Sequence, residues 1–205
     1  MPKNTLDAVA EARLRQDSVA IVLLAGGEAR RFPKKLEQHV DGEPMIVRCY
    51  RNLRAAAFPI YIAGKATFSR EVDTLLDAPL LIDRRPGGGP LEAFVSACSI
   101  IPAERLFAFA ADLPRLDSSV LNRLLAAWEP GDEAAVPQHD GRIEPLAGLY
   151  ARSAVLREGP AACESGNGAM HALVERVATR LVAIEGKYFH NVNRPSDLAG
   201  KVGTA

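Results

Sequence analysis

Apolar positions along this chain follow two rhythms that alternate from one end to the other. Val19 to Leu24 is an unbroken apolar run closed by Ala25-Gly26-Gly27. Short, β-branched and ended by glycine, it predicts a strand buried on both faces. Behind Pro44, which suits the first position of a helix, Met45, Cys49, Leu53 and Ala56 recur at helical spacing. Ile60-Tyr61-Ile62 predicts a second strand, Thr67 to Leu76 a helix, and Leu80-Leu81-Ile82 a third strand. Arg84-Arg85-Pro86-Gly87-Gly88-Gly89-Pro90 cannot be regular structure. Leu91 to Ile101 predicts a helix, and Leu106 to Ala110 a fourth strand that ends at Ala111-Asp112-Leu113-Pro114. Asp117 or Ser118 caps the next helix, whose buried face is Val120, Leu121, Leu124, Leu125 and Trp128. Ala134 to Pro137 is another strand, and no element is assigned between 138 and 169. Met170, Leu173, Val174 and Val177 then share a helical face, Arg180 to Ile184 is the last strand, and Pro195 opens a short C-terminal helix.

Strands alternating with helices predict an α/β fold with a largely parallel sheet covered on both faces. Residues 1–18 stand apart: Leu6, Val9, Ala10 and Leu14 line at most a short helix among charged residues. We read them as an extension, helical or frayed, ahead of one domain over 19–205.

Composition narrows the function classes. At 205 residues, 48% of them apolar, the chain can bury a full core. Lys plus Arg and Asp plus Glu both number 25, a balance that disfavours broad nucleic-acid binding. No apolar run spans a bilayer and no signal peptide leads the chain, so a cytoplasmic protein without a membrane partner is expected. Cys49, Cys98 and Cys163 form no CxxC pair and fit a reducing compartment. His39, His139, His171 and His190 lack metal-site spacing and read as surface or supporting histidines.

In a parallel sheet, ligands bind outside the carboxyl ends of the strands. Three strand ends carry candidate chemistry and should converge: Ala25-Gly26-Gly27, Asp83 with its glycine loop, and Asp112. The first continues as Glu28-Ala29-Arg30-Arg31-Phe32-Pro33-Lys34-Lys35-Leu36, joining glycines to four cations. Glycine lets backbone amides approach a ligand, arginine grips phosphate through its planar fork, and lysine supplies a point charge. Such a loop would neutralise a triphosphate; a glycine turn followed by a solvated basic stretch fits the spacing equally well. Neither GxGxxG nor the Lys-Ser/Thr ending of a P-loop is present, which disfavours dinucleotide oxidoreductases and P-loop ATPases.

Five pieces, in order, resemble the molybdenum cofactor guanylyltransferases, part of a wider group of nucleotidyltransferases. They are Leu24-Ala25-Gly26-Gly27 with Arg31 and Lys35; Gly42-Glu43-Pro44-Met45; Asp83 with Gly89-Pro90-Leu91; Ala111-Asp112-Leu113-Pro114; and Phe189-His190-Asn191-Val192-Asn193-Arg194-Pro195. The resemblance runs from about Val19 to the C-terminus. It implies a three-layer α/β/α, Rossmann-like fold of the nucleotide-diphospho-sugar transferase type, and Mg²⁺ as cofactor. It implies transfer of GMP from GTP to the phosphate of molybdopterin, with pyrophosphate released, and contact with other molybdenum-cofactor assembly proteins. Carried over, the backbone of Leu24, Ala25 and Gly26, with Gly27 beside them, would meet the guanine. Arg31 and Lys35 would hold the triphosphate, Asp83 would contact the nucleotide, and Asp112 would bind the metal.

The residues admit plainer readings. Asp112 also suits a strand-end or capping aspartate, and Asp83 a salt bridge to Arg84 or Arg85. Arg84, Arg85 and Gly87 to Gly89 form either a flap over the acceptor phosphate or a solvated loop. Asn191 and Asn193 fix either the acceptor or nearby backbone. The loop is about one residue shorter than the family pattern, so either Lys34 or Lys35 is the triphosphate lysine. Ala63-Gly64 stands where family members often have Asn, and Ala111 replaces a common Cys. The alternatives are a cytidylyltransferase or sugar-nucleotide pyrophosphorylase, whose signature more often reads Leu-Ala-Ala-Gly, and a nucleotide-binding assembly protein without catalysis.

Overall fold

The computed structural model describes residues 18–26, 34–64, 68–82, 88–165 and 168–198. Residues 1–17 and the candidates Gly27, Arg31, Asp83, Arg84 and Arg85 lie outside them.

Ten strands are present among the described residues: β1 (Val19–Leu24), β2 (His39–Val40), β3 (Glu43–Pro44), β4 (Ile60–Gly64), β5 (Leu80–Ile82), β6 (Arg105–Ala110), β7 (Ala134–His139), β8 (Arg142–Ile143), β9 (Leu149–Ala151) and β10 (Thr179–Ala183). The helices are α1 (Met45–Arg54), α2 (Arg70–Leu75), α3 (Gly89–Ile100), α4 (Ser118–Ala127), α5 (Arg152–Ser165), α6 (Met170–Val174) and α7 (Pro195–Leu198). The main sheet runs β10-β7-β9-β6-β1-β4-β5, with β8 paired to β7. β9 is antiparallel to both its neighbours, and the β8 pairing is antiparallel too. The remaining pairs of the main sheet are parallel.

Alternation along the strands builds two cores. Ile21 and Leu23 face α1 and α4, through Met45, Cys49 and Leu53 and through Val120, Leu121 and Leu124. Ala20, Val22 and Leu24 face α3, α5 and α6, through Leu91, Phe94, Ala154, Val155, Met170 and Leu173. Successive strand residues point to opposite faces, so a wholly apolar strand must be covered twice. Burying one Leu such as Leu23, which is 0% exposed, is worth roughly 1.5–3 kcal/mol. The three layers follow.

The chain winds outward from β1 through β4 to β5, then returns to place β6 on the other side of β1. That reversal opens a crevice at the carboxyl ends of β1 and β6.

Several expectations are corrected. Pro44 is not the first helical residue: it is extended (φ −56°, ψ 135°), closes the β2–β3 hairpin and precedes α1. The second helix is Arg70–Leu75, begun by Ser69, whose hydroxyl accepts from the Val72 amide. Val177 lies beyond α6, and Trp128 just after α4. Residues 138–169, left blank by the pattern, hold β8, β9 and all of α5. Helix α5 contains Gly159-Pro160. A Cβ on Gly159 would sit 2.5 Å from Val95 Cγ2 of α3, so the glycine lets the two helices meet. Exposed Pro160 withdraws one donor on the solvent side, where water can satisfy the freed carbonyl.

Candidate active site

The β1 end is built of backbone. The Leu24 carbonyl accepts from the Ala111 amide at 3.1 Å, and the Ala25 amide donates to the Ala63 carbonyl at 2.8 Å. Both side chains are buried in the core. These two bonds belong to the sheet ladder, whereas the next peptide, Ala25–Gly26, lies beyond it. Gly26 is exposed, and its amide makes no hydrogen bond to another described residue. Of the described residues, the Ala25–Gly26 peptide is therefore the backbone the turn can offer to a ligand.

The β6 end is built of side chains. Beyond Ala110 the chain turns, with the Leu113 amide donating to the Ala110 carbonyl at 3.2 Å. Helix α1 grips this turn: Arg48 Nε and Asn52 Nδ2 donate to the Pro114 carbonyl at 3.3 and 3.0 Å, and Cys49 Sγ to the Ala111 carbonyl at 3.4 Å. Burial, reinforced by the Asp112 charge, pushes the Cys49 thiol far up and keeps it neutral. Sequence reading placed Cys49 on the helix but not what it would touch, and missed Arg48 and Asn52. Asp112 is left pointing into the crevice with its side chain 25% exposed.

Lys35 Nζ lies 2.7 Å from Asp112 Oδ2 and 2.8 Å from Asn193 Oδ1. It begins a 3₁₀ turn, Lys35–Glu37, while Lys34 is left-handed (φ 51°) and exposed. Of the two lysines, Lys35 is the one brought to the carboxylate. The C-terminal segment is fastened here too. Val192 is buried, and its amide donates to the Asp112 carbonyl at 3.0 Å. Asn191 and Asn193 flank it and are exposed; of the two, Asn193 reaches Lys35. Asp197 accepts from the Asn193 and Arg194 amides, both at 2.8 Å, and these bonds hold its carboxyl below the usual range. Asp197 thus orients Asn193, a role with no motif to announce it.

The donor set can be tested against a metal. No group of three or more His, Cys, Asp or Glu residues suited to a metal occurs among the described residues. Asp112 is a single carboxylate beside a cation, and one of its oxygens makes no hydrogen bond to a described residue. That is too little for Ca²⁺ or Zn²⁺. It fits Mg²⁺, which keeps its waters and is held by one or two carboxylates together with substrate phosphates.

Two other places stand out, one behind the site and one remote from it. At the carboxyl end of β7, His139 stacks on Phe189 (centroids 5.0 Å apart, planes at 14°) and meets Glu144 Oε1 at 2.9 Å. Glu144, with Asp140, pushes its imidazole upward against a smaller effect of burial. Expected as a bland histidine, it anchors the segment leading to Asn193. A cleft of about 670 Å³ opens at the opposite, amino edge of the sheet, lined by Arg105, Trp128, Glu129 and Arg152. Its volume is suited to a ligand, but none of the candidate residues line it.

The fold, and a charged pair at the crossover beside β1, define a nucleotidyltransferase of the three-layer α/β/α type. Residues 21–184 match the family model described as the MobA-like NTP transferase domain, and the chain belongs to that family. It is similar to a probable molybdenum cofactor guanylyltransferase of Bacillus cytotoxicus, 28% identical over 191 residues, which span 89% of this chain and 95% of the relative. A relative of the same description in Synechococcus elongatus is 32% identical over 143 residues, spanning 64% of this chain and 71% of the relative. Among solved structures, molybdopterin-guanine dinucleotide biosynthesis protein A from Archaeoglobus fulgidus superimposes with a TM-score of 0.73 at 24% identity. It covers 88% of this chain and 95% of its own. No helix among the described residues is long and apolar enough to cross a membrane.

Proposed function

We propose that this protein transfers GMP from GTP to the phosphate of molybdopterin, releasing pyrophosphate, as a cytoplasmic step of molybdenum cofactor biosynthesis. The observation that carries the reading is the Lys35–Asp112–Asn193 junction beside the open Gly26 amide, in a chain of this family.

The reaction forms a bond between an acceptor phosphate oxygen and the α-phosphorus, and breaks the α–β bridge. An acceptor phosphate monoester is largely ionised near neutral pH, so no general base is needed. What the reaction needs is charge neutralisation and in-line positioning. Asp112 would hold Mg²⁺, which supplies charge neutralisation at the triphosphate when bound. Lys35, now paired with Asp112, would turn its ammonium to the triphosphate oxygens. Asn193, ordered by Asp197, would turn its amide to the acceptor. Arg31, Lys34, Gly27 and Asp83 are assigned to the nucleotide, and Arg84, Arg85 and Asn191 to the acceptor, from the resemblance alone. Contacts with other cofactor-assembly proteins rest on the same ground.

Competition decides the base. CTP, UTP and ATP are tested against labelled GTP, with Mg²⁺ and a pterin-phosphate acceptor, by pyrophosphate release. GTP should win. CTP competing as well as unlabelled GTP would transfer the assignment to the cytidylyltransferases.

A further inference from the structure

We infer that Gly64 is a specificity-determining residue: its bare Cα is the floor against which the base-reading Ala25–Gly26 peptide rests. The inference rests on the guanylyl reading above and names what sets its base preference.

The geometry is direct. β4 ends at Gly64, one residue past Ala63, whose carbonyl takes the Ala25 amide at 2.8 Å. Gly64 has φ +143°, a conformation L side chains rarely adopt. A Cβ there would lie 2.6 Å from Gly26 N, 2.8 Å from the Ala25 carbonyl carbon and 2.9 Å from Gly26 Cα. The obstacle is therefore a peptide group, not the tip of a side chain. One of the two must yield when a methyl is added. Gly64 is buried and in register with Ile82 of β5, whereas Gly26 is exposed and its amide is unbonded among the described residues. The Gly26 side gives way. Lys35 and Asp112 stand on other elements, so the displacement falls on the base and leaves those two charged groups in place. Ala63-Gly64 thus contributes a close backbone approach rather than a side-chain contact.

Gly64→Ala is compared with the wild type and with Gly131→Ala, whose glycine also has positive φ (+95°) but open space around it. Turnover of GTP, ITP and ATP and binding of tripolyphosphate, which has no base, are measured for each. In Gly64→Ala the preference for GTP over ITP and ATP should fall by about tenfold, the weight of one misplaced hydrogen bond, mainly through KM. Tripolyphosphate affinity should hold, and Gly131→Ala should behave as wild type. An unchanged preference, or equal loss of GTP and tripolyphosphate, overturns the inference. Should Gly64→Ala fail to fold, the wild type labelled with ¹⁵N-glycine answers instead. GTP should shift the Gly26 and Gly64 resonances and tripolyphosphate should not; equal shifts, or none, overturn the role. A wild type that prefers another triphosphate refutes the guanylyl reading, and Gly64 is then judged by whether that preference falls in the variant.

Discussion

The two sides of the crevice are made of different material. On the β1–β4 side the chain offers peptide groups: Gly26 open, Gly64 bare beneath it, Leu24 and Ala25 absorbed into ladder and core. On the β6 side it offers side chains, with Lys35, Asp112 and Asn193 joined within 2.8 Å and braced by Val192 and Asp197. Backbone held in a sheet is rigid and suits reading the edge of a base. Side chains carry the charge that a triphosphate requires and can change partners when it arrives. Lys35 pairs with Asp112 at 2.7 Å, so on the proposed reading the lysine turns to the triphosphate as the carboxylate is freed. The division predicts that substitutions on the β6 side cost rate and affinity, whereas those on the β1 side cost discrimination.

The largest effect belongs to Asp112. Asp112→Asn keeps the shape and removes the charge. It should lower Mg²⁺-dependent pyrophosphate release by about 10²–10³ or more, the scale of losing one preorganised electrostatic group, with circular dichroism unchanged. Near-normal turnover at saturating Mg²⁺ would remove the metal role.

Lys35→Ala comes next. A hydrogen bond to a charged group is worth about 1.5–3 kcal/mol, so GTP should bind roughly ten- to a hundredfold more weakly by titration calorimetry. Lys34→Ala should do less, its side chain being exposed. The reverse order would mean that the 3₁₀ turn presents the wrong lysine. With the lysine gone, Asp112 in Lys35→Ala should bind Mn²⁺ without nucleotide more readily than the wild type does.

Gly26→Ala probes the other side. A methyl there crowds a purine more than a pyrimidine, so GTP use should fall and the gap to CTP should narrow by about tenfold. Equal loss for both triphosphates would show that the peptide does not read the base.

The smallest effect concerns His139, outside the comparison but behind the segment that carries Asn193. Its folded pKa is raised, chiefly by Glu144. The stabilisation is therefore complete below the unfolded value of about 6.5 and is lost as pH rises through the higher folded one. Near the surface it should amount to under about 1 kcal/mol. Denaturant melts from pH 5 to 9 should show this step in the wild type, and Glu144→Gln should flatten it.

How far each part was legible depends on whether its cause is local. β1 and β5 were read to the residue, because an apolar run closed by glycine or flanked by loop residues is a local signal. The Asp117 cap was local too, its carboxylate accepting from the Ser119 amide at 2.8 Å. The hairpins at Asp41-Gly42 and Asp140-Gly141 carried the same kind of signal and were overlooked. Both residues of each turn have positive φ, as a tight Asp-Gly hairpin requires. Helix α5 was not legible, since Gly159-Pro160 reads locally as a break and only the contact with Val95 explains it.

The chain's own residues determined the α/β alternation, the strand ends where chemistry gathers and the presence of a lysine and an aspartate among them. These follow from propensity, period and charge within a few residues. Tertiary structure decided which lysine meets Asp112, which of two asparagines joins them and that Gly64 lies under Gly26. Each pairing links segments far apart in the chain, 77 residues for Lys35 with Asp112 and 158 for Lys35 with Asn193. Neighbouring Lys34 and Lys35 carry the same charge and propensity. The winding of β1 and β6 into adjacent strands, and the left-handed turn at Lys34, tell them apart.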